Sequence, residues 1–145
     1  MNIEIKEITH ETKEYEHEVE LRNKILRKPL NLQFSKSELD QEVKDIHLGA
    51  YADGKLIGCL LLTPDGASKI KMRQVAIDES AQGLGIGRKL VEVSELEARQ
   101  RGYSLMELNA RDTAIPFYLK LGYEIFGEPF TEVTIPHRKM RKSIN

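Results

Sequence analysis

Apolar and charged residues alternate at the start of the chain, where Ile3, Ile5 and Ile8 predict a first strand. The period then changes: Tyr15, Val19, Arg22, Ile25 and Leu26 recur at helical spacing, predicting a helix over 11–27 that Pro29 ends. Ser37-Glu38-Leu39-Asp40 reads as the capped opening of a short second helix. Strands are predicted over 47–52 and 55–62, joined by Asp53-Gly54, a strong hairpin signal, and Pro64-Asp65-Gly66 turns the chain into another over 69–77. A long helix follows to about Arg101, with Leu90, Val91, Val93, Leu96 and Ala98 facing the core and Gly102 as its stop. Residues 104–108 read as a buried strand and 113–121 as a helix that tolerates Pro116 in its first turn. Residues 122–126 and 133–140 supply the last two strands.

The strand–helix–strand unit over 69–108 requires parallel strands joined by a right-handed crossover, whereas the other strands meet in hairpins. The expected architecture is therefore α/β, with a single mixed central sheet of six to seven strands and about four helices. All of residues 1–145 are expected to form one domain, a length that buries roughly two thirds of the unfolded surface.

Composition narrows the function classes. Charged residues make up 31% of the chain, but 22 Lys and Arg offset 23 Asp and Glu, so there is no broad basic field for nucleic acid or an anionic membrane. The N-terminus lacks an apolar signal core and no run approaches the ~18 apolar residues of a membrane span, which predicts a cytoplasmic protein. Cys59, the only cysteine, lies in an apolar run as a small hydrophobe. The histidines at 10, 17, 47 and 137 lack zinc-ligand spacing, and no metal is expected.

Gln82-Gly83-Leu84-Gly85-Ile86-Gly87-Arg88 falls between the strand ending at Ile77 and the long helix. Glycines let main-chain amides approach an anion, and a helix N-terminus carries unpaired N–H groups with roughly half a positive charge. The segment reads as a pyrophosphate cradle. Its glycine spacing differs from the dinucleotide fingerprint G-x-G-x-x-G, and Gly87-Arg88-Lys89 lacks the Ser or Thr of a P-loop. In mixed sheets ligands bind at the carboxyl ends of parallel strands, where this loop and Asn109 both fall.

The Q-x-x-G-x-G pattern followed by a basic residue resembles the acyl-coenzyme A loop of the GNAT N-acetyltransferases. The segment from Asn109 to Tyr123 is similar to the same family's N-x-x-x-x-A-x-x-F-Y-x-x-x-G-F/Y signature, at the expected distance downstream. The resemblance implies a GNAT fold and an acetyl-CoA-dependent N-acetyltransferase. It assigns the coenzyme pyrophosphate to Gln82, Gly83, Leu84, Gly85, Ile86, Gly87 and Arg88. Pantetheine falls to the main chain of Val75, Ala76 and Ile77 and to Asn109, and an N–H near Val75 to the developing oxyanion. Tyr118 stands where the family keeps the proton donor to the leaving thiolate.

Residues 21–27, 47–51, 72–73, 109–111 and 136–140 also resemble stretches of the glyphosate N-acetyltransferases and their relatives, which acetylate the amine of small anionic molecules. That resemblance implies Arg27, Arg73 and Arg111 as a cationic pocket for a carboxylate, phosphate or phosphonate, a task that suits guanidinium forks. It implies His137 as the general base that removes a proton from the acceptor ammonium. The connection around Pro64 to Ser68 is shorter than in those relatives, so activity on glyphosate itself is not implied. The expected partner is a small-molecule amine, for a monomer or homodimer that binds neither nucleic acid nor membrane. The competing readings are a protein or peptide N-acetyltransferase and a non-catalytic acyl-CoA sensor.

Overall fold

The computed structural model describes residues 2–145. Seven strands form one mixed sheet in the order β1-β2-β3-β4-β5-β7-β6. They are β1 (Ile3–Ile8), β2 (Ile46–Ala52), β3 (Lys55–Pro64), β4 (Lys69–Ile77), β5 (Leu105–Arg111), β6 (Glu124–Glu132) and β7 (Ile135–Ser143). The α-helices are α1 (Lys13–Arg22), α2 (Lys36–Asp40), α3 (Ile86–Gln100) and α4 (Ile115–Lys120). Strand number, helix number and the mixed character of the sheet agree with the sequence expectation.

The chain packs as two compact units. The first comprises the residues up to Thr63 together with Gln74–Ser94. Within it, Thr12 caps α1 by accepting the Tyr15 N–H at 3.2 Å. The helix expected to reach residue 27 is α-helical only to Arg22; Asn23–Arg27 widen into a π turn and Lys28–Leu30 tighten into a 3-10 turn containing Pro29. The capping box of α2 is formed by Ser35 with Glu38, two residues before the expected start. β2 and β3 are buried along most of their lengths, and Asp53 and Gly54 both take positive φ in the two-residue turn between them.

The second unit comprises Pro64–Arg73 and Glu95–Asn145. The parallel ladder between β4 and β5 covers four pairs, from Lys69↔Leu105 to Met72↔Leu108. β5 runs to Arg111, three residues further than its apolar run, and is held there by antiparallel pairing with β7 as far as Arg111↔His137. Asn109 therefore sits inside a strand.

The apolar pattern misjudges one face of α3. Leu96 is 47% exposed, while Ser94 and Glu95 are buried. Ser94 Oγ donates to the Val91 carbonyl at 2.7 Å. Glu95 accepts from the Tyr123 hydroxyl at 2.8 Å and from Lys142 Nζ at 2.9 Å. These bonds offset the desolvation that keeps most carboxylates outside.

Candidate active site

In the first unit, the chain leaves β4 through a tightly held corner. The Asp78 carboxylate accepts from the Ser80 N–H at 3.1 Å and from Lys24 Nζ at 2.8 Å, and its carboxyl is held well below the usual range, chiefly by Lys24. Gln82 Nε2 donates to the Ile77 carbonyl at 3.1 Å, tying the loop back to the strand end. Gly83 (φ 82°) and Gly85 (φ 79°) then take left-handed conformations that side chains resist, with Leu84 exposed between them. The Lys89 N–H bonds the Gly85 carbonyl at 3.1 Å. The amides of Ile86, Gly87 and Arg88 therefore precede the first helical bond of the 15-residue α3, the arrangement in which N–H groups and dipole favour an anion.

Gly58 supports the same corner. A Cβ there would stand 2.9 Å from Ile77 Cδ1 and 3.4 Å from Ile86 Cγ2, so β3 touches both ends of the loop. Arg88 Nε pairs with Glu92 at 2.7 Å. Ahead of the corner, Gln74 has φ 55°, which rotates the main chain just before Val75, Ala76 and Ile77. Arg27 has partners of its own in this unit, Glu38 at 3.2 Å and the Phe34 ring, whose centroid is 4.1 Å from the guanidinium carbon. Cys59 is fully buried, and burial pushes its thiol upward, away from the reactive thiolate.

In the second unit, Tyr118 is buried on α4 with its ring edge-on to Phe117 and Tyr123, at 5.0 and 5.7 Å between centroids. Burial alone pushes its phenol well above the ordinary value, keeping it protonated. At the far end of β5, strand register puts Arg111 opposite His137, and His137 opposite Phe130 of β6. Opposed residues share a face, as do residues two apart, so Asn109, Arg111, Phe130, Glu132 and His137 lie on one face. Lys71 opposes Glu107 in the parallel ladder, which puts Arg73 on the same face. Both arginines are half-buried.

His137 is buried and its Nδ1 lies 2.7 Å from the Ile135 carbonyl, which can only accept. Nδ1 therefore carries the hydrogen in the neutral ring, leaving the Nε2 lone pair available. Nε2 stands 3.6 Å from Glu132 Oε2, and Glu132 Oε1 accepts from Asn109 Nδ2 at 3.4 Å. Glu132 was not among the residues expected at the site. Its signal is positional: a two-residue turn after Glu132 folds it back beside His137.

A second charged cluster, also unanticipated, is buried in the first unit. Arg22 binds Glu42 with both terminal nitrogens, at 2.7 and 2.6 Å, and Glu18 at 2.8 Å. Tyr15 donates to Glu42 at 2.7 Å. His47 Nδ1 lies 2.9 Å from the Glu18 carboxylate and Nε2 2.9 Å from the Glu42 carbonyl; since both partners only accept, both nitrogens donate and His47 is an imidazolium. Burial opposes that charge, but Glu18 overcomes it and raises the imidazole above its ordinary value. Glu18, Glu42 and His47 bring potential metal-ligand atoms within 4.8 Å of one another. Arg22 and the His47 imidazolium together neutralise the two carboxylates, and the ring offers no lone pair, so the cluster functions as a closed ion network.

The GNAT acetyltransferase domain family matches residues 44–125. The N-acetyltransferase YitI of Bacillus subtilis, uncharacterized, is 30% identical over 117 residues, covering 77% of this chain and 78% of its own. Two solved structures share the fold. An acyl-CoA N-acyltransferase from Pseudomonas aeruginosa superimposes with TM-score 0.84 at 23% identity, over 98% of this chain and 100% of that one. A GNAT family acetyltransferase from Elizabethkingia anophelis with acetyl-CoA bound does so with TM-score 0.77 at 22% identity, over 98% of both chains. The chain belongs to the GNAT family and is an N-acetyltransferase of that type. No helix among the described residues is long and apolar enough to cross a membrane.

Proposed function

We propose that the protein transfers an acetyl group from acetyl-CoA to the amine of a small anionic metabolite, by direct attack and without an acyl-enzyme. The observation that carries this reading is the loop over Gln82–Arg88, whose left-handed glycines open onto a helix start suited to a diphosphate. The acetyl-CoA bound to the Elizabethkingia anophelis relative supports the same cosubstrate. β4 beyond its four-pair ladder offers the main chain of Val75, Ala76 and Ile77 to pantetheine amides, with Asn109 as a further hydrogen-bonding partner. The rotation at Gln74 suits a neighbouring N–H to the thioester oxygen as negative charge develops there.

In the reaction, His137 Nε2 removes one proton from the acceptor ammonium. The freed amine forms a C–N bond to the acetyl carbon, the C–S bond breaks, and the Tyr118 hydroxyl gives its proton to the departing sulfur. The second amine proton goes to solvent, from which Tyr118 is reprotonated. Arg73 and Arg111, on the face that carries His137, supply positive charge for an acidic group on the acceptor. The sequence resemblance to the glyphosate-acetylating enzymes suggests the same acceptor chemistry.

Thiol release from acetyl-CoA tests the reading, with amino acids, amino phosphonates and short peptides as acceptors. Turnover is expected with small anionic amines. Turnover confined to peptides, or none with any acceptor, would contradict it.

A further inference from the structure

The hairpin joining β6 and β7 turns on Val133 (φ 45°) and Thr134 (φ 65°). Both are β-branched residues held in the left-handed region, where such side chains are strongly disfavoured. Strain of this kind persists only where surrounding structure imposes it. Here its two flanking residues both address the base: Ile135 supplies the carbonyl for His137 Nδ1, and Glu132 places its carboxylate before Nε2.

The 3.6 Å between Glu132 Oε2 and His137 Nε2 is too long for a direct hydrogen bond. It is short enough for one ammonium group to donate to both atoms. The Glu132 side chain is about half exposed and can be reached from solvent, while the imidazole 3.6 Å from it is buried. Positive charge lies beside this pair, since Arg111 is opposite His137 and Arg73 shares the face. One face therefore combines a carboxylate adjoining a base with guanidinium groups, a pattern opposite in sign to a zwitterion.

We infer that Glu132 is the ammonium receptor of the acceptor site, and that the acceptor is a zwitterion carrying its amine and acid group a few bonds apart. An α-, β- or γ-amino acid or an aminoalkyl phosphonate has this form. The inference rests on the proposed role of His137 as base. Glu132 holds the ammonium so that one N–H points at Nε2; the proton passes to His137, and the neutral amine then attacks the thioester as described above.

The test is thiol release from acetyl-CoA by the full chain. Its acceptors are a series of α-, β- and γ-amino acids and aminoalkyl phosphonates, each compared with propylamine and with short peptides. Loss of a charge-assisted hydrogen bond corresponds to about tenfold or more, so Glu132→Gln should raise the zwitterion KM by at least that factor. The acetyl-CoA KM and the unfolding midpoint should stay unchanged, and Glu132→Asp should recover part of the loss. An unaltered zwitterion KM in Glu132→Gln would overturn the role of Glu132. Propylamine used as well as the zwitterions would overturn the acceptor class while leaving small-molecule acetylation intact. Turnover of peptides alone, or of nothing, would overturn the inference together with the reading beneath it.

Discussion

His137 gives its Nδ1 hydrogen to the Ile135 carbonyl, 2.7 Å away and two residues back along the same strand. This bond fixes the tautomer a proton acceptor needs. His137→Ala should therefore lower kcat roughly 100-fold at neutral pH, the scale of a lost general base. Raising the pH should restore part of the loss, because more of the acceptor is then already neutral. A pH–rate profile matching the parent would remove His137 from the reaction.

Tyr118 has a phenol that burial keeps protonated through the neutral and mildly alkaline range. With the proposed role of proton donor to the leaving sulfur, Tyr118→Phe should lower kcat roughly 100-fold while leaving acetyl-CoA affinity within about twofold. Stopped-assay turnover beside calorimetric binding separates the two effects. Full turnover in the variant would exclude the donor role.

The Glu18–Arg22–Glu42–His47 network should give stability a two-sided pH dependence. Burial disfavours ionised Glu42, but Arg22 prevails and lowers its pKa in the folded chain. Its contribution is complete above the ordinary carboxylate range and is lost as pH falls through the lowered value. His47 is shifted the other way, so its contribution is complete below about pH 6.5 and is lost as pH rises through the raised value. Denaturant midpoints measured from pH 3 to 9 should peak between these limits. His47→Gln should abolish the alkaline decline, and Glu42→Gln, which strands part of the Arg22 charge, should cost about 3 kcal/mol or more.

The Val133–Thr134 turn should store measurable strain. Asn-Gly suits two successive left-handed positions, so the double change Val133→Asn with Thr134→Gly should stabilise the chain by about 1–2 kcal/mol in sum. Thermal unfolding would show this as a higher Tm. A lower Tm would mean that the turn is not strained in solution.

Features carried by neighbouring residues were readable before the fold was known. Asp53-Gly54 dictates its hairpin, and Gln82 to Arg88 announce a loop opening a helix. The conversion of α1 into a π turn at Asn23 left no comparable mark in the apolar spacing. Glu95 was hidden for a different reason: a count of apolar positions selects Leu96, whereas the hydroxyl of Tyr123 and the ammonium of Lys142, 28 and 47 residues away, make Glu95 suitable for burial. His47 and Glu18 are 29 residues apart and meet only through tertiary packing. Of the candidate site, strand parity could align Arg111 with His137 only once β5 was known to extend to Arg111, three residues beyond its apolar run. Glu132 depended on the turn at Val133 and Thr134, residues that carry no turn chemistry of their own.

Calorimetric titration of the folded chain with acetyl-CoA tests the central claim, that residues 82–88 bind the diphosphate of an acylated coenzyme. One saturable binding event per chain is predicted. Gly85→Val, which places a β-branched side chain at φ 79°, should weaken it by about tenfold or more without unfolding the protein. Absence of heat from well-folded parent protein, or unchanged affinity in that variant, would contradict the account.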